Sequence, residues 1–143
     1  MPYRFMEEIA LADTAFEAWG KTREEMFAAA ADAMANVMVA DLETIRPVEE
    51  VEIGLENENL EMLLFDLLGE LIYYKDSRLL LLRISSSTIT TSRGIYTLRA
   101  IARGERLEPA RHPLCVDVKA VTLHRFRVEE TKEGWWTVVV LDI

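Results

Sequence analysis

The order in which helix and strand patterns follow one another constrains the fold of this chain more than any other feature. The first half alternates strand and helix patterns, whereas from Lys75 onward successive strand patterns are separated only by turns. A length of 143 residues suits one domain built around one core. The order therefore predicts a single α+β domain over residues 1–143, with antiparallel β-sheet packed on two α-helices.

Two segments have the periodicity of helices. Thr22 is followed three residues later by Glu25, which is a capping box, and the helix that it starts is predicted to run to about Met38. Residues 60–74 carry apolar side chains at three- and four-residue spacings around much of the circumference, which is typical of a buried helix. Gly69 lies inside this second helix at a cost of about 1 kcal/mol relative to alanine, so we expect a close packing contact there.

Strand patterns precede each helix and dominate the rest of the chain. Residues 13–19 and 48–56 alternate between apolar and polar side chains, and a longer alternation runs over residues 116–128. Residues 131–134 have the pattern of a hairpin turn, with glycine where a positive φ is needed. Residues 135–142 are therefore predicted to return antiparallel to the preceding strand.

The charge of the chain limits its partners. The formal net charge is −9 and the pI is near 4.8. Phosphate contacts need concentrated Lys and Arg, so this balance argues against a conventional nucleic-acid binder, although a basic face on an acidic protein remains open. The acidity is better suited to binding cations or to docking on a basic protein surface.

The single cysteine and the N-terminus indicate the compartment. Cys115 cannot form an internal disulfide. Because it lies between the apolar residues Leu114 and Val116, we expect it to be a buried apolar residue that fills space in the core. The N-terminus lacks the apolar run of a signal peptide, and no apolar stretch approaches membrane-spanning length. These features predict a cytoplasmic protein without membrane association.

Local motifs of common enzymes are absent from the sequence. It contains no phosphate-binding, dinucleotide-binding, zinc-protease or serine-hydrolase signature. With His112 and His124 as the only histidines, it cannot build a histidine-rich metal site. We interpret both as hydrogen-bonded structural or surface residues.

Two acids stand apart from the many on predicted solvent-facing surfaces. Asp142 is the penultimate residue of a β-branched strand, so its carboxylate and the α-carboxylate of Ile143 would lie side by side at the strand end. Asp13 lies in a segment that is otherwise small and apolar, where a carboxylate indicates hydrogen bonding, capping or a ligand. Hard oxygen donors on a fixed backbone suit a divalent cation. The alternative is an ordinary exposed strand tip.

The C-terminal third resembles the archease family. The resemblance rests on Arg111-His112, then Val118-Lys119-Ala120-Val121-Thr122-Leu123-His124, then Trp136 and the terminal Asp142-Ile143. Family members carry a similar ending at the same place, and the resemblance extends over nearly the whole chain. It implies the same α+β fold.

At the N-terminus the resemblance is partial. The family shows a DHTAD-like motif a few residues before a glycine, where this chain has Ile9-Ala10-Leu11-Ala12-Asp13. The final Ala-Asp is kept, whereas Ala10 and Leu11 replace the His and Thr. The resemblance implies a divalent-cation site formed by Asp13, Asp142 and Ile143, with Ca²⁺ expected first and Mg²⁺ or Mn²⁺ as alternatives. Loss of the His and Thr would alter the surroundings of these ligands and so the affinity for the cation.

The function implied by the resemblance is that of a helper protein and not of an enzyme. Archeases are non-catalytic cofactors of the tRNA-splicing RNA ligase, which joins a 3′-phosphate or 2′,3′-cyclic phosphate to a 5′-hydroxyl. They promote guanylylation of the ligase and its repeated turnover, and some have been linked to a tRNA methyltransferase. The chain is thus expected to associate with tRNA only indirectly.

Three alternatives follow from the residues. A metal-dependent hydrolase using Asp13 and Asp142 would act without a partner. A chaperone-like module would use exposed apolar surface and negative charge, so that Asp substitutions would be harmless. A direct RNA binder would need the basic residues to converge on one face, although cross-strand pairing with Glu is their commoner use; these residues are Arg99, Arg103, Arg106, Arg111, Lys119, Arg125 and Arg127.

Overall fold

The computed structural model of the chain describes residues 2–6 and 13–143. In this part of the chain there are two α-helices, α1 (Arg23–Met38) and α2 (Leu60–Arg78), and a short 3-10 helix, Leu42–Thr44. The strands are β1 (Tyr3–Phe5), β2 (Asp13–Gly20), β3 (Glu49–Asn57), β4 (Leu80–Ser92), β5 (Ile95–Arg106), β6 (Ala120–Thr131) and β7 (Gly134–Asp142).

The strands form two antiparallel sheets, and both helices contact both of them. The first sheet has the order β1-β2-β7-β6 and the second the order β3-β5-β4. Helix α1 packs on β2, β7 and β4, while α2 packs on β6, β4 and β3. Large side chains such as Phe16, Phe27, Leu64 and Leu98 are fully buried in the core between these elements. The predicted α+β class, with antiparallel pairing and two helices, is confirmed.

Both helices begin where the sequence predicts. The Thr22 hydroxyl accepts a hydrogen bond from the Glu25 N–H at 3.1 Å, and the Glu25 carboxylate accepts one from the Thr22 N–H at 3.0 Å. Helix α2 continues one turn beyond the predicted end, to Arg78, and Leu79 closes it in the left-handed conformation. The capping box is therefore formed in full, which satisfies backbone donors that the helix itself leaves free.

The expected close packing at Gly69 is wrong, and the tight glycine lies elsewhere. A Cβ added to Gly69 would meet nothing within 4 Å, because this residue lies on the exposed side of α2. A Cβ at Gly104, inside β5, would lie 1.7 Å from the carbonyl oxygen of Leu81 on β4. Gly104 therefore allows β4 and β5 to approach closely.

The long alternation predicted over residues 116–128 is interrupted. Strand β6 begins only at Ala120, and its pairing with β7 shifts between Thr122 and Arg127. Arg125, inside this irregular stretch, has a φ of 58°. An inserted bulge changes which face later side chains occupy, so a single period of two does not describe the strand.

Cys115 is exposed, contrary to the expectation of a buried filler. It belongs to a loop between β5 and β6 that is held by backbone contacts. The Cys115 N–H donates to the Met38 carbonyl at 2.8 Å, and the Ala40 N–H donates to the Pro113 carbonyl at 2.9 Å. Because main-chain groups fix this loop, its apolar side chains do not have to face the core.

Glu105 fastens the same loop. Its buried carboxylate accepts hydrogen bonds from the Arg46 N–H at 2.8 Å and from His112 Nε2 at 3.0 Å, and it pairs with Arg111. His112 Nδ1 accepts from the Glu108 N–H at 2.9 Å, so the ring proton is on Nε2. Burial alone would raise the pKa of Glu105, but the hydrogen bonds from Arg46, His112 and Arg111 outweigh it and lower the pKa from 4.5 to about 2.

Side chains from the first turns of the helices bind backbone groups of one outer strand in each sheet, β4 and β6. Glu24 of α1 accepts a hydrogen bond from the Ile89 N–H of β4 at 3.0 Å, and Arg23 donates to the Ile89 carbonyl at 3.2 Å. Glu61 of α2 accepts one from the Val128 N–H of β6 at 3.0 Å. These edge backbone groups thus have partners within the chain.

Within the described residues, neither helix combines the length and the apolar character that crossing a lipid bilayer requires.

The two glycines give opposite stability predictions. Gly69→Ala should raise the free energy of unfolding by about 1 kcal/mol, because the helix gains propensity and the new methyl group meets nothing. Gly104→Ala should lower it by about 1–3 kcal/mol or more, because the methyl group collides with the β4 backbone. Urea unfolding of both variants checks this, and a destabilised Gly69→Ala variant would contradict the placement of that residue.

Glu105 should contribute to acid sensitivity. Its pKa is lower in the folded than in the unfolded chain, so its stabilising contribution is complete above pH 4.5 and is lost as the pH falls towards about 2. Glu105→Gln should lower the free energy of unfolding at pH 7 by about 2 kcal/mol. The difference from wild type should shrink below pH 4.5 in urea titrations. Glu49→Gln, an exposed acid on β3, is the control; a difference independent of pH would contradict the assignment.

Candidate metal centre

Pairing of β2 with β7 brings the two singled-out acids together. The strands are antiparallel, and Asp13 at the start of β2 lies directly opposite Asp142 at the end of β7. Directly opposed residues share one face of a sheet, with Cβ atoms about 4.5–5.5 Å apart. Asp13, Asp142 and the adjoining Ile143 are each half-buried. The structure therefore gathers the three residues that the sequence singled out at one end of the first sheet.

This acid pair lies on the face of the sheet that turns away from the main core. Phe16 and Ala18 of β2, together with Val139 and Leu141 of β7, belong to the core cluster. Side chains alternate along a strand, so Asp13 and Asp142 point to the opposite face, here called the outer face. The pair is thus attached to a rigid sheet while its carboxylates stay outside the main hydrophobic interior.

Strand β6 and the loop that precedes it hold the backbone at Asp142. Ala120 of β6 pairs with Asp142, and the Lys119 N–H donates to the Asp142 carbonyl at 2.8 Å. Buried Lys75 of α2 donates to the Val118 carbonyl at 2.9 Å and pairs with Asp117. These contacts fix the position of the last residues of β7.

Lys75 stays charged in this setting. Burial alone would lower its pKa, but hydrogen bonds to Asp117 and Asp76 outweigh burial and raise the pKa above its ordinary value. Its ammonium group therefore remains a full donor that anchors the loop beside Asp142.

The electrostatics of the acid pair suit a cation. Like charges directly opposite one another in a sheet are destabilising. Within residues 2–6 and 13–143, no Lys or Arg forms a salt bridge with Asp13 or Asp142. A divalent cation between two carboxylates would remove the repulsion, and hard oxygen donors are the ligands that Ca²⁺, Mg²⁺ and Mn²⁺ prefer. The donor chemistry of these residues thus fits such an ion.

The protein ligands offered here are few. The described part of the chain holds no group of three or more His, Cys, Asp or Glu side chains arranged to bind a metal. Two side-chain carboxylates and the main chain of Ile143 would leave several positions to water or to a second molecule. Mg²⁺ is commonly bound in this way. The N-terminal motif segment, residues 9–12, lies outside the described residues.

The other residues considered from the sequence lie elsewhere or act structurally. His112 is buried against Glu105, which confirms its interpretation as a hydrogen-bonded structural residue. His124 is exposed in the irregular part of β6, where its N–H donates to the Thr122 hydroxyl at 3.3 Å. Neither histidine is brought to the acid pair by a described contact.

The seven basic residues considered for RNA binding do not share one sheet. Arg99, Arg103 and Arg106 lie on β5 of the second sheet, whereas Arg125 and Arg127 lie on β6 of the first. Arg103 pairs across strands with Glu50 at 2.9 Å, as expected for such charges. The seven residues therefore do not form a basic face on a single sheet, whereas Arg125 and Arg127 lie close together on β6.

Sequence reasoning missed two buried charged residues, Lys75 beside the site and Glu105 near the end of β5, before the loop that precedes β6. Lys75 follows Leu71 and Ile72 by four and three residues, so it occupies the apolar stripe of α2, and that spacing could have identified it as buried. Glu105 lies in a strand whose pattern gives no comparable sign. Its partner Arg46 lies 59 residues away in the chain, and its partner Arg111 lies six residues away across a loop, so both contacts are known only from the fold.

Comparisons of the sequence with known proteins agree on one family. The Archease protein family matches residues 3–143. The archease of Methanosarcina mazei is 37% identical over 142 residues, which cover 99% of this chain and 95% of that protein. The archease of Methanopyrus kandleri is 35% identical over 144 residues and is covered in full, as is this chain.

Solved structures show the same architecture. The solution structure of protein 1598 from Methanobacterium thermoautotrophicum superposes with a TM-score of 0.85, at 29% identity over 99% of both chains. A crystal structure described as an archease and possible chaperone, from Thermotoga maritima, has a TM-score of 0.65 at 22% identity over 98% of both chains, which speaks for the fold alone. Sequence and fold agree from the first strand to the terminal Asp-Ile, and the chain belongs to the archease family.

Proposed function

We propose that this chain is a non-catalytic protein cofactor of the tRNA-splicing RNA ligase, acting in the cytoplasm. It would promote guanylylation of the ligase and repeated turnover through a divalent cation held by Asp13, Asp142 and Ile143. The observation that carries this proposal is the register that places Asp13 opposite Asp142 at the end of β2 and β7. Membership of the archease family supports it.

The geometry supports a cation site that is presented to a partner protein better than it supports a self-contained active site. Only oxygen donors meet at the acid pair, and neither histidine is brought to it by a described contact. The pair lies at one end of a sheet, so it can enter the cleft of another protein. A bound cation would supply positive charge to the nucleotide phosphates handled there. The residues of this chain would bind that cation and present it.

Cation binding by the isolated protein is the first test. Because the two carboxylates repel each other, Asp142→Asn should raise the melting temperature in EDTA. The melting temperature of wild type should rise as CaCl₂, MgCl₂ or MnCl₂ is added. At a cation concentration of a hundred times the dissociation constant, the free energy of unfolding should increase by about 2.7 kcal/mol. Asp142→Asn should lose most of that gain.

The matched control is Glu56→Gln, because Glu56 is an exposed strand acid that lies opposite an uncharged residue, Thr97. This variant should respond to added cation as wild type does. If Asp142→Asn and wild type gained equal stability from the cation, the acid pair would not be the binding site.

Activation of the ligase is the second test. Multiple-turnover ligation with the ligase, GTP and Mn²⁺ should be stimulated by wild type and by Glu56→Gln. Asp13→Ala and Asp142→Ala should each abolish most of the stimulation while remaining folded by circular dichroism. Full stimulation by both Asp variants would refute a role for the cation, and no stimulation by wild type would refute the proposed partner.

A chaperone-like modulator of a tRNA methyltransferase or another RNA-processing protein is the alternative function. One observation favours it: a groove of about 860 Å³ lies at the other end of β2 and β7 and is lined in part by Trp19, Trp135 and Trp136. Trp19 is 39% exposed, and exposed aromatic surface is typical of protein-binding sites. In this alternative, Asp142→Ala keeps full stimulation of the partner, whereas Trp19→Ala loses it.

A further inference from the structure

One residue of the chain has an unusual backbone conformation that local structure does not require. Among the described residues, three that are not glycine have a positive φ: Leu79, Arg93 and Arg125, at 55°, 52° and 58°. Leu79 closes α2, and Arg93 lies with Gly94 in the tight turn between β4 and β5. Arg125 lies inside β6, where neither a helix end nor a hairpin turn calls for it. Residues other than glycine adopt this conformation at a cost in free energy, and residues strained in this way cluster at functional sites.

The strain accompanies a bulge that places Arg125 beside the outer face. Thr122 of β6 pairs with Val140, and Arg127 pairs with Val138, so four residues of β6 stand opposite the single Val139. Bulges of this kind redirect side chains. Here the bulge places Arg125 next to Arg127, and both are exposed.

A pocket of about 420 Å³ opens at this point. Its lining consists of Met6, Arg125, Phe126, Arg127, Trp136 and Val138. Val138 lies four residues before Asp142 on the same strand and the same face, roughly 13 Å away at strand spacing. The volume is within the range of small-molecule sites, roughly 300–1,000 Å³.

The chemistry of the lining combines two guanidinium groups with an apolar and aromatic wall. Arg127 lies over the Trp136 ring at 5.0 Å from its centroid, and its Nε is 3.5 Å from Glu129. The Trp136 indole N–H donates to Glu17 at 3.0 Å, which fixes the ring. Planar guanidinium groups match phosphate oxygens in pairs, and aromatic side chains stack on nucleobases.

We propose that this pocket binds a nucleotide, with its phosphate on Arg125 and Arg127 and its base against Trp136 and Phe126. Glu17 and Glu129 balance part of the positive charge, so recognition depends on the geometry of the two arginines and not on bulk charge. The inference extends the proposed function by placing a nucleotide or RNA end on the same face as the acid pair. The binding itself needs neither the ligase nor a cation.

The test is direct binding by the isolated protein in EDTA. Two probes distinguish the source of the nucleotide: GMP, followed by tryptophan fluorescence, and a fluorescein-labelled single-stranded RNA with a 3′-phosphate, followed by anisotropy. Arg125→Gly should weaken binding of the preferred probe by about tenfold, since it removes one charged contact. Its melting temperature should equal or exceed that of wild type, because glycine relieves the strain.

Arg93→Gly is the matched control, because it changes the same residue type in the same backbone conformation, in a turn of the other sheet. It should keep wild-type affinity for both probes. Equal losses in the two variants, unchanged affinity in Arg125→Gly, or equal displacement of the probe by a glutamate-rich peptide would each overturn the proposal. Because the ligase is absent, these results are independent of the ligation assay.

Discussion

The pairing of β2 with β7 is the contact on which the candidate site depends. Eight consecutive residues of each strand are paired without a bulge, from Asp13 opposite Asp142 to Gly20 opposite Trp135. A slip by one residue would turn a strand's buried side chains, Phe16 or Val139 among them, away from the core. Burying such a side chain is worth roughly 1.5–3 kcal/mol, so the core fixes the register and the register fixes the separation of the acids. Gly134 assists because its φ of 142° and lack of a Cβ let the turn pass against Gly20.

The same pairing gives the outer face an internal order. The acid pair lies at one end of the outer face and the Arg127–Trp136 stack lies farther along it, whereas the tryptophan-lined groove at the far end of the two strands also reaches residues of α1. Opposite charges are thus separated along one rigid surface and do not neutralise each other. In the proposed function, this surface would align the cation and the nucleotide in relation to a partner's cleft.

The sequence was sufficient where a feature depends on neighbours in the chain. The capping box at Thr22, the antiparallel hairpin around Gly134 and the terminal strand follow from local patterns, and the structure confirms them. The proximity of Asp13 and Asp142 could be expected only through the family resemblance, because 128 residues separate them and no local rule joins their strands.

The sequence was insufficient to predict features that depend on tertiary contacts. Gly69 appeared to mark tight packing, but its side of α2 is exposed, and the tight contact is at Gly104. Cys115 appeared buried between apolar neighbours, but backbone bonds to Met38 hold its loop at the surface. The bulge at Arg125 interrupts an alternation that is continuous in the sequence. It could not be predicted, because the pattern of apolar residues does not show which residue other than glycine adopts a positive φ.

The covering of the edge strands by Glu24 and Glu61 bears on how such a protein can associate. With the Ile89 and Val128 amides already bonded, an incoming chain would have to break an internal contact to extend either sheet there. At these two edges, recognition is left to side chains, whose contacts form and dissolve without rearranging the backbone. A cofactor of the kind proposed here has to leave its enzyme as readily as it arrives, and bonded amides at the β4 and β6 edges favour brief encounters over permanent assembly.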